Sequence, residues 1–186
     1  MKWNRQDVFL KSSWGFTLVE VMTVIAIMGI MAATSITMLI KAEPRARKVA
    51  RELMGDMQAA RISAIKENQD WAIVFTPAST TYYICSDRGS DNVWSTIIAS
   101  NTIKKTVSFT NYGAGVKFGS GIANSSMSGG AFGDGVSYNS NVLTFNSRGT
   151  CSSGYVYLFY GDASYAVGTL STGIVRIRRW SNGGWR

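Results

Sequence analysis

The sequence contains no histidine among its 186 residues. That removes the side chain most often used as a general base near neutral pH, and the commonest metal ligand. Cysteine is scarce, with Cys85 and Cys151 alone. Two thiols cannot frame a disulfide scaffold, and without histidine they offer too few soft ligands for a zinc site. Proline is equally scarce, the first being Pro44. Acidic residues number 11 against 19 basic ones, for a net charge of +8. Such a balance allows an anionic partner, nucleic acid or membrane phosphate, without requiring one. No phosphate-binding glycine loop and no nucleophile with a neighbouring base stand out, so the chain reads as a non-enzyme needing no cofactor.

What the chain does have is one long apolar run. From Phe16 to Ile40 there are 25 residues and a single charge, Glu20. As a helix this run is roughly 37 Å long, against a hydrocarbon core of about 30 Å, so residues 16–40 read as a transmembrane helix in contact with membrane lipid. A polar leader of residues 1–15 precedes it, holding Lys2, Arg5, Lys11 and Asp7 and ending in Gly15. An ordinary secretory signal has its apolar segment before the cut. Here the order is reversed. An uncleaved anchor is the simpler reading, but it leaves Glu20 unexplained. An ionised carboxylate in a membrane helix is costly and usually has a partner.

Gly15-Phe16-Thr17-Leu18-Val19-Glu20 resembles the prepilin-type cleavage and methylation motif of type IV pilins and type II secretion pseudopilins. The resemblance implies a prepilin peptidase that cuts between Gly15 and Phe16 on the cytoplasmic side and methylates the amine of Phe16. It implies further that Glu20 pairs with the N-terminal ammonium of a neighbouring subunit during assembly. Many relatives carry a proline where this chain has Thr37. Gly29 and Ala33 make a small-xxx-small pair, suited to helix packing in a filament and equally expected by chance in such a run. Lysine and arginine cluster after the run, at Lys41, Arg45, Arg47, Lys48 and Arg51, which alone would put that side in the cytoplasm. The resemblance implies the opposite: a single pass of the bacterial inner membrane with an exported, periplasmic C-terminal domain.

Residues 41–70 continue as an amphipathic helical pattern. Ala46, Ala50, Leu53, Met57, Ala60 and Ala64 recur at three- and four-residue spacing, with Val49 and Ile65 beside them. From Trp71 the period becomes that of strands. Expected strands are Trp71 to Thr76, Thr81 to Cys85, Val93 to Ala99, Ile103 to Thr110, Gly115 to Phe118, Val142 to Phe145, Tyr155 to Tyr160, Ala163 to Val167 and Gly173 to Trp180. Six glycines between Gly119 and Asn141 predict a long flexible loop. The fold class is α+β: a long N-terminal helix packed on a mostly antiparallel β domain over 71–186. Ala60-Arg61-Ile62-Ser63-Ala64, Phe145-Asn146-Ser147-Arg148-Gly149 and Gly173-Ile174-Val175-Arg176 are similar to segments of GspH/FimT-type minor pilins and pseudopilins, so the expected fold is pilin-like.

In an oxidising compartment Cys85 and Cys151 would pair, and two free buried thiols are the alternative. The strand from Gly173 to Trp180 carries Arg176, Arg178 and Arg179, and no acidic residue follows Gly173. Alternation puts Val175 and Ile177 toward the core and Arg176, Arg178 and Trp180 on the other face. Guanidiniums beside an indole suit phosphate contact with base stacking; a charged, solvated edge strand is the plainer reading. Some FimT-like minor pilins bind DNA through an arginine-rich GRxR motif near the C-terminus. Here Arg176-Ile177-Arg178 gives only RxR, so DNA is the alternative partner. The principal expectation is a minor pilin or pseudopilin of a type II secretion system or type IV pilus. Its partners would be the peptidase, other pilins through the N-terminal helix, and an inner-membrane assembly platform.

Overall fold

The computed structural model describes residues 15–39, 42–95 and 101–186, with side chains of 32–39 and 42–44 outside the description. The chain divides into two units, 1–41 and 42–186. The first holds helix α1, Leu18–Leu39. Among the described residues no helix is long and apolar enough to cross a membrane. A span over 16–40 therefore remains an expectation of the sequence. The expected continuation of this helix into the next falls on residues 40 and 41, outside the described residues.

The second unit begins with α2, Ala42–Glu67. Its apolar stripe is the predicted one: Ala46, Val49, Ala50, Leu53, Met57, Ala60 and Ala64 are fully or almost fully buried. Ile65 is not in that stripe and is half exposed. The helix stops at Asn68, whose φ of 51° is left-handed. Its amide and that of Gln69 donate to the carbonyls of Ile65 and Ala64. This is a Schellman ending, with asparagine where glycine is more usual.

Among the described residues nine strands follow, in two antiparallel sheets. They are β1 Trp71–Thr76, β2 Thr81–Asp87, β3 Thr102–Ser108, β4 Lys117–Phe118, β5 Val142–Phe145, β6 Gly154–Tyr160, β7 Ala163–Thr169, β8 Val175–Ser181 and β9 Gly184–Trp185. One sheet runs β3-β2-β1-β5 and the other β4-β6-β7-β8-β9. The α2 stripe, β1, β2, β5 and the inward residues of β6 and β7 close one core, with Phe75, Tyr82, Phe109, Leu143, Phe145, Val156 and Val167 inside it. Phe75 stacks on Tyr138 at 5.9 Å and meets Phe118 edge-on at 6.3 Å.

Three expectations change. The segment expected as a strand from Val93 is irregular over 93–95, and its remainder lies outside the described residues. The strand expected over Ile103 to Thr110 ends at Ser108, in a 3-10 turn over Phe109–Tyr112. The glycine-rich segment 119–141 is not a free loop. It is laid on the second sheet, with Ala123, Val136 and Tyr138 buried and Val136 bridged to Val156. Gly119 donates to the Tyr157 carbonyl, and Tyr157 donates to the Gly135 carbonyl at 2.7 Å. Gly135 has φ 92°, and a Cβ there would strike the Gly119 amide. Its glycines permit close backbone approach rather than freedom.

Polar contacts also tie α2 to the sheets. The Tyr82 hydroxyl donates to buried Asp56 at 2.7 Å, and Lys105 of β3 donates to Asp56 at 2.7 Å and to Glu52 at 2.9 Å. Burial pushes the Tyr82 phenol up, and hydrogen bonding to Asp56 adds to the rise. Arg61 donates through Nε to the Gly149 carbonyl at 2.9 Å and through Nη2 to the Thr172 carbonyl at 3.4 Å. A Cβ on Gly173, where φ is 82°, would collide with the Gly149 carbonyl and come 2.6 Å from Arg61 Nε. The three segments resembling GspH/FimT sequences thus meet at one guanidinium.

Arg61→Ala should cost about 2 kcal/mol, the range for a charged hydrogen bond. Gly173→Ala should cost more than about 1 kcal/mol, because alanine resists positive φ. Urea unfolding of the full chain in detergent measures both. The Lys105 hydrogen bond holds the Glu52 carboxyl below its ordinary value of 4.5. Its folded value is depressed, so its contribution is present above pH 4.5 and lost as pH falls below it. Lys105→Met should flatten that acid limb in a pH series of melting temperatures.

Candidate functional site

Residues 15–31 are exposed throughout. Phe16 is 81% exposed, and Leu18, Val19, Met22 and Ile25 are exposed beside it. Thr17 caps α1: its Oγ1 accepts from the Glu20 amide at 3.3 Å. Thr17-Leu18-Val19-Glu20 has the spacing of a capping box, which supplies a local reason for an acid at this position. Only the threonine half of the box is formed. The Glu20 carboxylate makes no hydrogen bond or ion pair among the described residues. Gly15 has open space where a Cβ would sit. Gly15, Phe16 and Glu20 are thus displayed together at one helix end, while residues 1–14 lie outside the description.

This motif and the β domain each match a family model. Residues 15–36 match the prokaryotic N-terminal methylation motif, and residues 49–173 match the type II transport protein GspH. The chain belongs to the GspH family.

Its α+β fold of one seated helix and antiparallel sheets is pilin-like. The motif implies processing by a prepilin peptidase and assembly with other pilins or pseudopilins. Among solved structures, the chain is similar to the minor pseudopilin EpsH of the Vibrio cholerae type 2 secretion system. The match has 11% identity over 72% of this chain and 95% of that one, with a TM-score of 0.49. It is also similar to the type IV minor pilin FimU of Pseudomonas aeruginosa, at 13% identity over 76% and 92%, with a TM-score of 0.46. No curated protein sequence matches.

The arginine-bearing strand β8 follows the segment matched to GspH, which ends at residue 173. Val175 and Ile177 pack against the core as alternation predicts, and Arg176 is exposed. Trp180 departs from the expectation. It is 7% exposed, packed edge-on against Trp185 at 5.2 Å, so its face is not offered for base stacking. The cause is the short β8–β9 hairpin, in which Trp180 pairs with Trp185. Trp185 in turn donates to the Ser125 carbonyl at 2.7 Å, pinning the hairpin to the glycine-rich segment. The same hairpin brings Arg178, Arg179 and Arg186 beside Arg47 and Arg51 of α2, around a groove of about 290 Å³. Sequence reasoning missed this grouping. Its only trace was the i,i+4 spacing of Arg47 and Arg51 and the acid-free C-terminal stretch.

The two cysteines do not meet, and both are free thiols. Cys85 pairs with Ala72 on β1, Ala72 pairs with Thr144 on β5, and Cys151 bridges Phe145, the residue after Thr144. Three strand spacings, about 14 Å, separate them, twice the reach of a disulfide. Cys85 sits on the sheet face away from the α2 core, whereas Cys151 packs toward that core and donates to the Leu170 carbonyl at 3.1 Å. Burial pushes the Cys85 thiol up to about 11 and raises Cys151 as well. Among the described residues no group of three His, Cys, Asp or Glu could hold a metal.

A thiol assay on non-reduced chain should count two thiols after denaturation. The native chain at pH 8 should leave Cys85 unlabelled for as long as the fold persists.

Proposed function

We propose that this chain is a minor pseudopilin or minor pilin, made as a precursor, cut after Gly15, methylated at Phe16 and built into a filament through its apolar N-terminal helix. The observation that carries this reading is the methylation motif and the GspH domain joined in one chain. The local chemistry supports it. Cleavage gives Phe16 a new ammonium, and the Glu20 carboxylate has no partner among the described residues. In an apolar environment each charge is costly alone and is neutralised by the other from a neighbouring subunit.

Before assembly, residues 16–40 lie in the inner membrane as a single pass, and the domain from 42 onward is periplasmic. An assembly platform in the same membrane then draws the helix into the filament. Type II secretion is the first assignment, following the family's description. No observation favours DNA contact by Arg176, Arg178 and Arg179, since the neighbouring indole is packed away.

Co-expressed with a prepilin peptidase, the chain should yield a polypeptide beginning with N-methyl-Phe16 by mass spectrometry. Gly15→Val should retain all 15 leader residues. Glu20→Val should be processed normally yet drop out of filaments purified with their other subunits. Intact Met1 ends in the unmodified chain would make it a simple anchor.

A further inference from the structure

We propose that the arginine groove between α2 and the β8–β9 hairpin binds the phosphate of an anionic phospholipid headgroup. The inference rests on the reading of residues 16–40 as lipid-embedded.

The groove is lined by five arginines, with buried Tyr165 and half-buried Ile177 between them. No acidic side chain lines it. Arg47 and Arg51 are one helical turn apart on α2; Arg178 and Arg179 come from β8, and Arg186 follows β9. Like charges gathered this closely repel one another, and the arrangement is relieved by an anion that several of them share. Guanidinium is planar and forked, matched to the paired oxygens of a phosphate. A volume of about 290 Å³ admits a phosphate ester with part of its alcohol.

Three other basic residues of α2 are engaged within the domain. Arg45 lies over the Tyr160 ring and donates to its hydroxyl at 3.0 Å. Lys48 lies over the Tyr112 ring, and Arg61 is held by two carbonyls. Arg47, Arg51 and Arg178 make no side-chain hydrogen bond or ion pair to another described residue. The lipid source follows from position in the sequence. Five basic residues fall between Lys41 and Arg51, directly after the apolar run, and a basic cluster flanking such a run is the pattern that engages anionic headgroups. The fold gathers two of those five with three from the C-terminus into one concave site.

The test uses the full chain in neutral detergent micelles doped with phosphatidylglycerol or phosphatidylcholine, with bound lipid counted by native mass spectrometry. Phosphatidylglycerol should bind at least tenfold more tightly, and the preference should fall as salt rises. The triple variant Arg47→Gln, Arg51→Gln, Arg178→Gln should lose the preference, while Arg176→Gln, outside the groove, keeps it. If the triple variant melts early, Arg51→Gln alone, at an exposed helix position, makes the same comparison. A preference untouched by these substitutions overturns the proposal. So does inorganic phosphate binding equally well in undoped micelles, which would make the ligand a free phosphate. Binding of a DNA duplex through the same arginines, with no lipid preference, also overturns it. A chain that does not partition into micelles at all refutes the anchored reading instead.

Discussion

Both sheets depend on one surface, the small-residue stripe of α2. Four of its seven buried positions are alanine, at Ala46, Ala50, Ala60 and Ala64, so the helix axis can approach both sheets closely. Leu53 and Met57, both fully buried, fill the middle of the stripe. Burying each contributes about 2 kcal/mol or more by transfer alone. Neither sheet has a closed apolar face without this helix, since the inward residues of β1, β2, β5, β6 and β7 belong to the same cluster as the stripe. The helix is the shared wall of the domain, which is why helix and β domain follow each other in one family segment.

Apolar packing fixes distance but not register along the helix, and the polar ties supply that. Asp56 and Glu52 receive Lys105 from the edge strand β3, while Arg61, later along α2, holds the turns at Gly149 and Thr172. The two ties pull on different sheets. Sliding α2 by one turn would strand Asp56 without the Tyr82 hydroxyl and carry Arg61 off both carbonyls. The glycines at 149 and 173 let two backbone turns crowd against one guanidinium, and side chains there would force them apart.

This explains what the sequence disclosed and what it withheld. The α2 stripe was legible because its period is local, and most strands were legible because alternation and turn residues are local too. The segment 119–141 misled because glycine and serine content reports conformational freedom in the unfolded chain, not in the packed one. Only the partners at Tyr157 and Val156 decide that it lies flat on a sheet. The disulfide expectation failed for a similar reason. Compartment and count say that two thiols could pair, but strand order puts β1 and β5 between them. Trp180 was assigned to the outer face by alternation correctly. Its burial came from Trp185, through a two-residue strand too short to give a periodic signal.

The distribution of charge then separates structure from function. A cation that holds the fold has a partner in the fold. Lys105, Arg61, Arg45, Lys48 and Arg88 each have one, in carboxylates, carbonyls or aromatic rings. Glu20 at one end of the chain and Arg47, Arg51 and Arg178 in the groove do not, among the described residues. Unpaired charge at a recurrent motif or a concave site gives nothing to the stability of this chain, and gathering like charges detracts from it. Under the proposed readings the compensating interaction comes from outside the chain. Under the proposed function, the compensating charge for Glu20 is a neighbour's amine, generated only after the leader is cut. For the arginines it is an anion that several of them share. One is a carboxylate waiting for a cation and the other a set of cations waiting for an anion, so the two sites take different partners and neither can satisfy the other's.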